Sequence, residues 1–263
     1  MDQKLIETTL ANLPLGGIVY YDSTGSTNDA AAEWAAKGVP EYSVFISDEQ
    51  TRGRGRAGRQ WFTPPGTALA FSLVLYPRPH ESSEMISRFT GLGALGVCEG
   101  LENAYRLSPK IKWPNDVLLE GKKVCGVLAE AHWEGDSLKS IILGIGINVD
   151  PRSIPPEENL NFPAACIQDA VEERADRLLI LGSVLKRLIF WRENLTGDKF
   201  IQTWDEKLAY RGEQIALING GKPEMRGKLV GMNEKGELLL ELDNLEITAV
   251  SVGEISLRPL VDS

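Results

Sequence analysis

The sequence is poor in sulfur and almost without histidine. Only Cys98, Cys125 and Cys166 among its 263 residues are cysteine, and only His80 and His132 are histidine. No C-x-x-C or H-x-x-x-H spacing occurs, so the chain carries no zinc signature, no disulfide framework and no assigned metal ligand. The widely spaced thiols read as small buried apolar residues. Long hydrophobic runs are also missing, and none approaches the roughly 20 residues that span a bilayer. The opening residues, MDQKLIETTLANLPLGG, carry acids and lack the continuous apolar core of a secretory signal. A cytoplasmic protein with no membrane partner is expected. Positive charge is short as well: 28 lysines and arginines face 37 acids, a net charge of -9. Such a chain repels nucleic acid unless its positive charge is locally concentrated.

The rest of the composition is that of a soluble globular protein, and the length suits one large domain and one small one. Ser26-Thr27-Asn28 precede an alanine-rich helical stretch, Asp29 to Lys37, that Gly38 closes. Tyr42 to Ser47 has a strand pattern, and Thr51 to Pro65 reads as a loop. Ala68 to Tyr76 is an apolar run of strand length. Ser83 to Arg106 has helical spacing, weakened by four glycines. Lys110 to Trp113, Asp116 to Leu119, Lys123 to Ala131 and Ser140 to Val149 read as strands, with a hairpin turn at Glu120-Gly121-Lys122. A proline-rich connection, 151–163, leads to helical stretches at Asp176 to Trp191 and Lys199 to Leu208. From Gly212 the character changes to short β stretches: Gln214 to Ile218, Met225 to Met232, Gly236 to Leu242 and Leu245 to Val252. These suggest a small barrel, with a domain boundary near Tyr210-Arg211.

Three clusters carry chemistry. The segment Arg52-Gly53-Arg54-Gly55-Arg56-Ala57-Gly58-Arg59 places four arginines within eight residues. It contains G-x-G-x-x-G, but Gln60-Trp61-Phe62-Thr63-Pro64-Pro65 follows, which cannot begin the helix of a dinucleotide fingerprint. The loop is either a solvated, self-repelling surface segment or a site for an anion, where glycines admit phosphate to the backbone and guanidinium forks grip it. A nucleic-acid reading fits the loop and conflicts with the acidic chain around it. Second, Lys110-Ile111-Lys112-Trp113-Pro114-Asn115-Asp116 puts lysines on a strand before a turn. They are plain surface charges, or Lys112 faces a cleft where negative charge develops. Third, Gly144-Ile145-Gly146-Ile147-Asn148 ends an apolar strand. Its glycines mark a core bulge or the close approach of a ligand or backbone, and the Asn148 amide suits a purine edge.

In this order the clusters resemble the biotin–protein ligase family. The matching pieces are Ser26-Thr27-Asn28, Asp48-Glu49-Gln50-Thr51, the G-R-G-R-x-G-R-x-W loop ending at Trp61, Lys112 to Asp116, Gly126-Val127-Leu128-x-Glu130, and Gly144-x-Gly146-x-Asn148. The resemblance covers roughly Tyr20 to the C-terminus. It implies an α+β catalytic domain on a mixed central sheet, of class II synthetase-like fold, over residues 1–210, and a C-terminal SH3-like barrel over 211–263. It implies that biotin and MgATP form biotinyl-AMP and pyrophosphate. Biotin then passes to a lysine of a biotin carboxyl carrier domain, that of acetyl-CoA carboxylase or a related carboxylase.

The resemblance also implies residue roles. Ser26, Thr27, Asn28 and Gln50 serve biotin, and Arg54, Gly55 and Arg56 close over its carboxylate and the phosphate. Arg59, Trp61 and Asn148 serve the nucleotide together with Arg56. Lys112 and Arg56 are the catalytic pair, with Lys112 between carboxylate and α-phosphate, and Asn115 and Asp116 support Lys112 or the metal. Arg52 and Ala57 depart from the usual loop. Only 25 residues precede Ser26, so the form without a DNA-binding domain is expected, with no specific DNA partner and a possible homodimer. A lipoate- or octanoyl-transferring relative is the competing reading.

Overall fold

The computed structural model describes residues 1–79, 81, 85–219, 222–251 and 255–259. His80, Ser83 and Val252, on which parts of the sequence reading fall, lie outside the described residues. The chain opens with helix α1 (Gln3–Leu10) and strand β1 (Gly17–Thr24), neither of which the sequence reading anticipated. Helix α2 (Thr27–Ala35) starts two residues earlier than expected. Strands β2 (Ser43–Gln50) and β3 (Ala68–Leu75) follow on either side of the arginine–glycine loop, and helix α3 (Ile86–Tyr105) comes next. Strands β4 (Lys110–Lys112), β5 (Asp116–Leu119), β6 (Lys122–Glu134) and β7 (Ser137–Asn148) complete one sheet.

That sheet has seven strands in the order β1-β2-β3-β7-β6-β5-β4. Strands β1 and β2 are parallel and the other pairs antiparallel, which makes it the mixed sheet expected. Both faces are covered, which is why β3 is apolar throughout rather than alternating. On one face Phe45, Val74 and Ile142 pack against Ala31 and Ala35 of α2. On the other, Ile46, Leu73, Leu75 and Leu143 join the large core with α3 and helix α4 (Arg177–Glu193). The glycines of α3 serve that packing: a Cβ at Gly96 would lie 2.4 Å from a Leu188 methyl of α4, and one at Gly100 2.6 Å from a Val184 methyl. The helix therefore gives up propensity and gains close approach.

Helix α5 (Asp198–Glu206) leads to a second sheet of β8 (Gln214–Asn219), β9 (Lys222–Met232), β10 (Leu238–Glu241), β11 (Ile247–Val250) and β12 (Ile255–Pro259). It is antiparallel, in the order β11-β10-β9-β8-β12. Strand β12 was not anticipated. No pairing of β11 with β12 closes a barrel among the described residues, so the second unit is a five-stranded antiparallel sheet. Its β9–β10 turn docks on the larger unit, where the Trp113 indole N–H donates to the Gly236 carbonyl at 3.1 Å.

Cys98, Cys125 and Cys166 are buried free thiols, as expected. Among the described residues no helix is long and apolar enough to cross a membrane.

Candidate active site

A single cleft over the N-terminal half of β6 and the C-terminal half of the antiparallel β7 gathers Ser26, Thr27, Asn28, Gln50, Arg54, Gly55, Arg56, Arg59, Trp61, Lys112 and Asn148 along its walls. Every site residue expected from the sequence therefore borders one cavity. One end is uncharged. Ser26 takes the N-cap position of α2, yet its side chain makes no capping bond. The Thr27 amide, one of the donors a helix start leaves open, instead donates to Gln50 Oε1 at 2.8 Å. Gln50 also accepts from the Thr27 hydroxyl and donates to Thr63 Oγ1. The Asn28 amide nitrogen donates to Glu130 Oε2 at 2.6 Å, and Ser72 from the buried strand β3 donates to Asn28 Oδ1 at 2.6 Å. Ser26, Thr27 and Asn28 are all nearly fully buried. This corner is buried and dense in hydrogen-bonding groups, suited to a small polar ring.

The glycines of β6 and β7 have a purpose that differs from the expectation. A Cβ on Gly144 would sit 2.2 Å from Asn28 Oδ1, and one on Gly146 2.2 Å from Trp61 Nε1. They make room for two side chains of the site itself. Trp61 lies across Gly146 and Gly126, with the Lys123 ammonium 5.3 Å from the centre of its ring.

The arginine–glycine loop folds back as a short stem and a crown. In the stem the Gly55 amide donates to the Arg59 carbonyl at 2.7 Å, and the Trp61 amide to Gly53 at 2.9 Å. The crown, Arg56–Gly58, is one 3-10 turn. There Ala57 takes a left-handed conformation with φ 54°, which costs a non-glycine residue about 1 kcal/mol. Arg52 folds over Gly25 at the loop's start. Arg54 turns its guanidinium to Asp29 and Glu130, whereas Arg56 donates to Asn115 Oδ1 at 3.2 Å.

The other end of the cleft is cationic. Asp116 is shared by two lysines, with Lys123 Nζ 2.6 Å from Oδ1 and Lys112 Nζ 3.4 Å from Oδ2. Burial would raise the Asp116 carboxyl, but Lys123 and Lys112 outweigh it and hold it below its usual range. Burial pulls Lys112 down to about 8 against the opposing pull of Asp116. Lys112 is almost enclosed, with its ammonium 4.7 Å from the centre of the Phe162 ring, whereas the Lys123 side chain keeps 22% of its surface open. Burial also lowers Arg56 and Arg258, opposed in both by Asp116. Asn148 donates its amide nitrogen to the Ala165 carbonyl at 3.0 Å, leaving Oδ1 as an acceptor.

Several lining residues escaped the sequence reading. The strand pattern alone places Lys123 at the start of a strand, although its position directly after the hairpin turn and three residues before Gly126 is a local signal. Ser72 is the one polar residue in an apolar strand, a second usable signal. Phe162 and Arg258 reach the cleft from the connection after β7 and from β12, and no local pattern announces either. Asp48, part of a recognised motif, instead pairs with Arg177 at the start of α4. Among the described residues no group of three or more His, Cys, Asp or Glu could hold a metal ion.

Residues 20–148 match the biotin/lipoate A/B protein ligase family. The chain is 34% identical over 233 residues to the bifunctional ligase/repressor BirA of Bacillus subtilis strain 168, covering 85% of this chain and 69% of that protein. The chain belongs to the biotin/lipoate A/B protein ligase family. A further member, the biotin–[acetyl-CoA-carboxylase] ligase of Paracoccus denitrificans, is 30% identical over 226 residues, covering 82% of this chain and 91% of that one. The biotin protein ligase from Aquifex aeolicus in complex with biotin and ATP has the same fold, with a TM-score of 0.77 at 34% identity over 93% of this chain and 99% of that chain. The family segment contains the uncharged corner, the arginine loop and the lysine–aspartate triad, while Phe162 and Arg258 lie beyond it.

Proposed function

We propose that this chain is a biotin–protein ligase that forms biotinyl-5'-AMP from biotin and MgATP and passes biotin to a lysine of a biotin carboxyl carrier domain, that of acetyl-CoA carboxylase or a related enzyme. The observation that carries this reading is the polarity of one cleft, with a neutral hydrogen-bonding corner at one end and clustered lysine and arginine at the other. Ser26, Thr27, Asn28 and Gln50 serve the ureido ring. The carboxylate then points toward Lys112, Lys123 and Arg56, with Arg54 and Gly55 forming the stem of the loop above it. Arg59, Trp61 and Asn148 serve the nucleotide, and the free Asn148 oxygen suits the adenine amino group. Magnesium enters bound to the ATP phosphates, its usual manner of binding.

In the first step a biotin carboxylate oxygen bonds to the α-phosphorus. The bond from that phosphorus to the bridging oxygen breaks, and pyrophosphate leaves with the electron pair. Charge grows on the equatorial oxygens, where preorganised cations act most strongly. Two lysines against one aspartate leave one net positive charge in the triad, and Arg56 and Arg258 add to it. In the second step the carrier amine attacks the acyl carbon and AMP departs with the electrons of the acyl–oxygen bond. The surplus ammonium proton passes to water.

Pyrophosphate release with biotin and MgATP, and none above background with lipoate in place of biotin, is the expected result. The reverse preference would assign the cleft to the lipoate branch.

The pH profile follows from Lys112. In the free protein its positive form is lost as pH rises through about 8, so kcat/KM for ATP should fall above that pH. Bound anions favour the charged ammonium, so kcat should turn down at higher pH than kcat/KM. For stability the direction is opposite. Between about 8 and the ordinary 10.5 the unfolded chain binds the extra proton, so this group's contribution rises with pH. A kcat/KM profile flat to pH 9.5 would contradict this role for Lys112.

A domain boundary at Tyr210-Arg211, a cytoplasmic location and a homodimer belong to the same proposal. So does the lack of a specific DNA partner, argued from the net charge of -9. Mobility-shift titration of the chain at physiological salt, with adenylate bound, should give no sequence-specific complex. A nanomolar one would refute that part.

A further inference from the structure

Glu130 closes the Gly126-Val127-Leu128-x-Glu130 motif, and neither reaction step uses it. It stands on β6 where the uncharged corner meets the arginine loop. Its Oε2 accepts from the Asn28 amide at 2.6 Å and from Arg54 at 3.0 Å, and its Oε1 lies 3.2 Å from the same guanidinium. Arg54 reaches Asp29 as well, on the first turn of α2. We propose that Glu130 is a positioning residue that latches the arginine loop to the uncharged corner through Arg54, and so keeps the adenylate enclosed until the carrier lysine arrives. This rests on the ligase reading above.

Three observations support it. First, Arg54 sits in the stem of the loop, opposite Gln60, so fixing its side chain fixes the base from which the crown hangs. Second, the crown contains the strained Ala57 and several like charges, so the loop alone does not favour a closed shape. Third, Glu130 is the only carboxylate that both Asn28 and Arg54 engage among the described residues. One side chain thus ties the group that orients the substrate ring to the loop that covers the reacting end. The Arg54, Asp29 and Glu130 side chains keep 39%, 53% and 31% of their surfaces exposed. Ion pairs that open are individually modest, which suits a latch that must also release.

Glu130→Gln separates the two duties, because the glutamine oxygen can still accept from Asn28 while the charge facing Arg54 is gone. Arg54→Gln breaks the latch from the loop side. The measurement is biotin incorporated into serum albumin with no carrier present, per pyrophosphate released, together with amide exchange of residues 53–55 without ligands. Glu130→Gln should raise albumin labelling per pyrophosphate about fivefold, the population change expected for one exposed pair, and Arg54→Gln, which also releases Asp29, by at least as much. Both should also speed exchange. The double variant should add nothing beyond Arg54→Gln alone, because Glu130 acts on the loop only through Arg54, whereas Arg54→Gln also releases Asp29. A general loss of stability would slow adenylate formation without raising the escaped fraction. Wild-type retention and exchange in either single variant would overturn the latch, as would a double variant whose effect is the product of the singles. Failure of the wild type to release pyrophosphate from biotin and ATP would overturn the ligase reading and adenylate retention with it, while the exchange data would still report whether Glu130 ties down the loop.

Discussion

Replacing Lys112 by methionine is expected to slow biotinyl-adenylate formation by about 100-fold or more, the scale of losing one preorganised stabiliser of the transition state. The melting temperature should move by no more than a few degrees. The two expectations come from the same geometry. Lys112 is buried, and burial pulls it down to about 8, so its charge is carried at a cost to the fold. Methionine fills the space beside Phe162 without that cost. Asp116 is not orphaned, because Lys123 remains 2.6 Å from its other oxygen. Lys123→Met should reduce adenylate formation by at least as much, since Lys123 is the more open of the two to the cleft. Pyrophosphate release at saturating biotin and ATP, paired with thermal unfolding, checks both variants. Near-normal release from Lys112→Met would remove Lys112 from the chemistry, and release lost only together with a collapse in melting temperature would make it a structural residue.

Alanine at Gly144 and at Gly146 should injure different substrates, although the two positions are neighbours on one face of β7. A methyl at Gly144 would meet Asn28 Oδ1, and one at Gly146 the Trp61 indole, each at 2.2 Å. Neither separation is tolerable, so the side chain must move. Asn28 cannot move without losing its bonds to Ser72 and Glu130, whereas Trp61 can swing only by leaving Gly126 and the loop stem. Overpacking of this kind costs about 1–3 kcal/mol, or roughly 5- to 150-fold in affinity. We expect Gly144→Ala to weaken biotin and Gly146→Ala to weaken ATP, each measured by calorimetric titration of the single substrate. An equal loss of both substrates in both variants would show that the two walls move as one.

The motifs were legible because the chemistry that needs them is local. Four arginines among glycines, a lysine before a tight turn, and glycines inside an apolar strand each depart from what a core or a surface requires. Their roles were less legible. Gly144 and Gly146 announce close approach, but a sequence does not say by what, and the answer was Asn28 and Trp61. Lys112 and Lys123 are eleven positions apart on paired strands β4, β5 and β6, and only the register of those strands brings both to Asp116. Arg258 comes from the second sheet, beyond any motif. Helix α1 has eight residues with only Ile6 and Leu10 buried, and no residue of β1 is fully buried, so neither carries a strong apolar period. Strand β12 was missed because a five-residue strand late in the chain offers little periodicity.

In the function proposed above, one cleft joins biotin to AMP and retains the product. Native mass spectrometry of the chain after incubation with biotin and MgATP, in the absence of any carrier protein, tests it most directly. A single complex is expected whose added mass is that of biotinyl-5'-AMP and which disappears when a biotin carboxyl carrier domain is supplied, as the carrier gains one biotin. Protein that binds biotin and ATP separately, without ever carrying the adenylate, would contradict it.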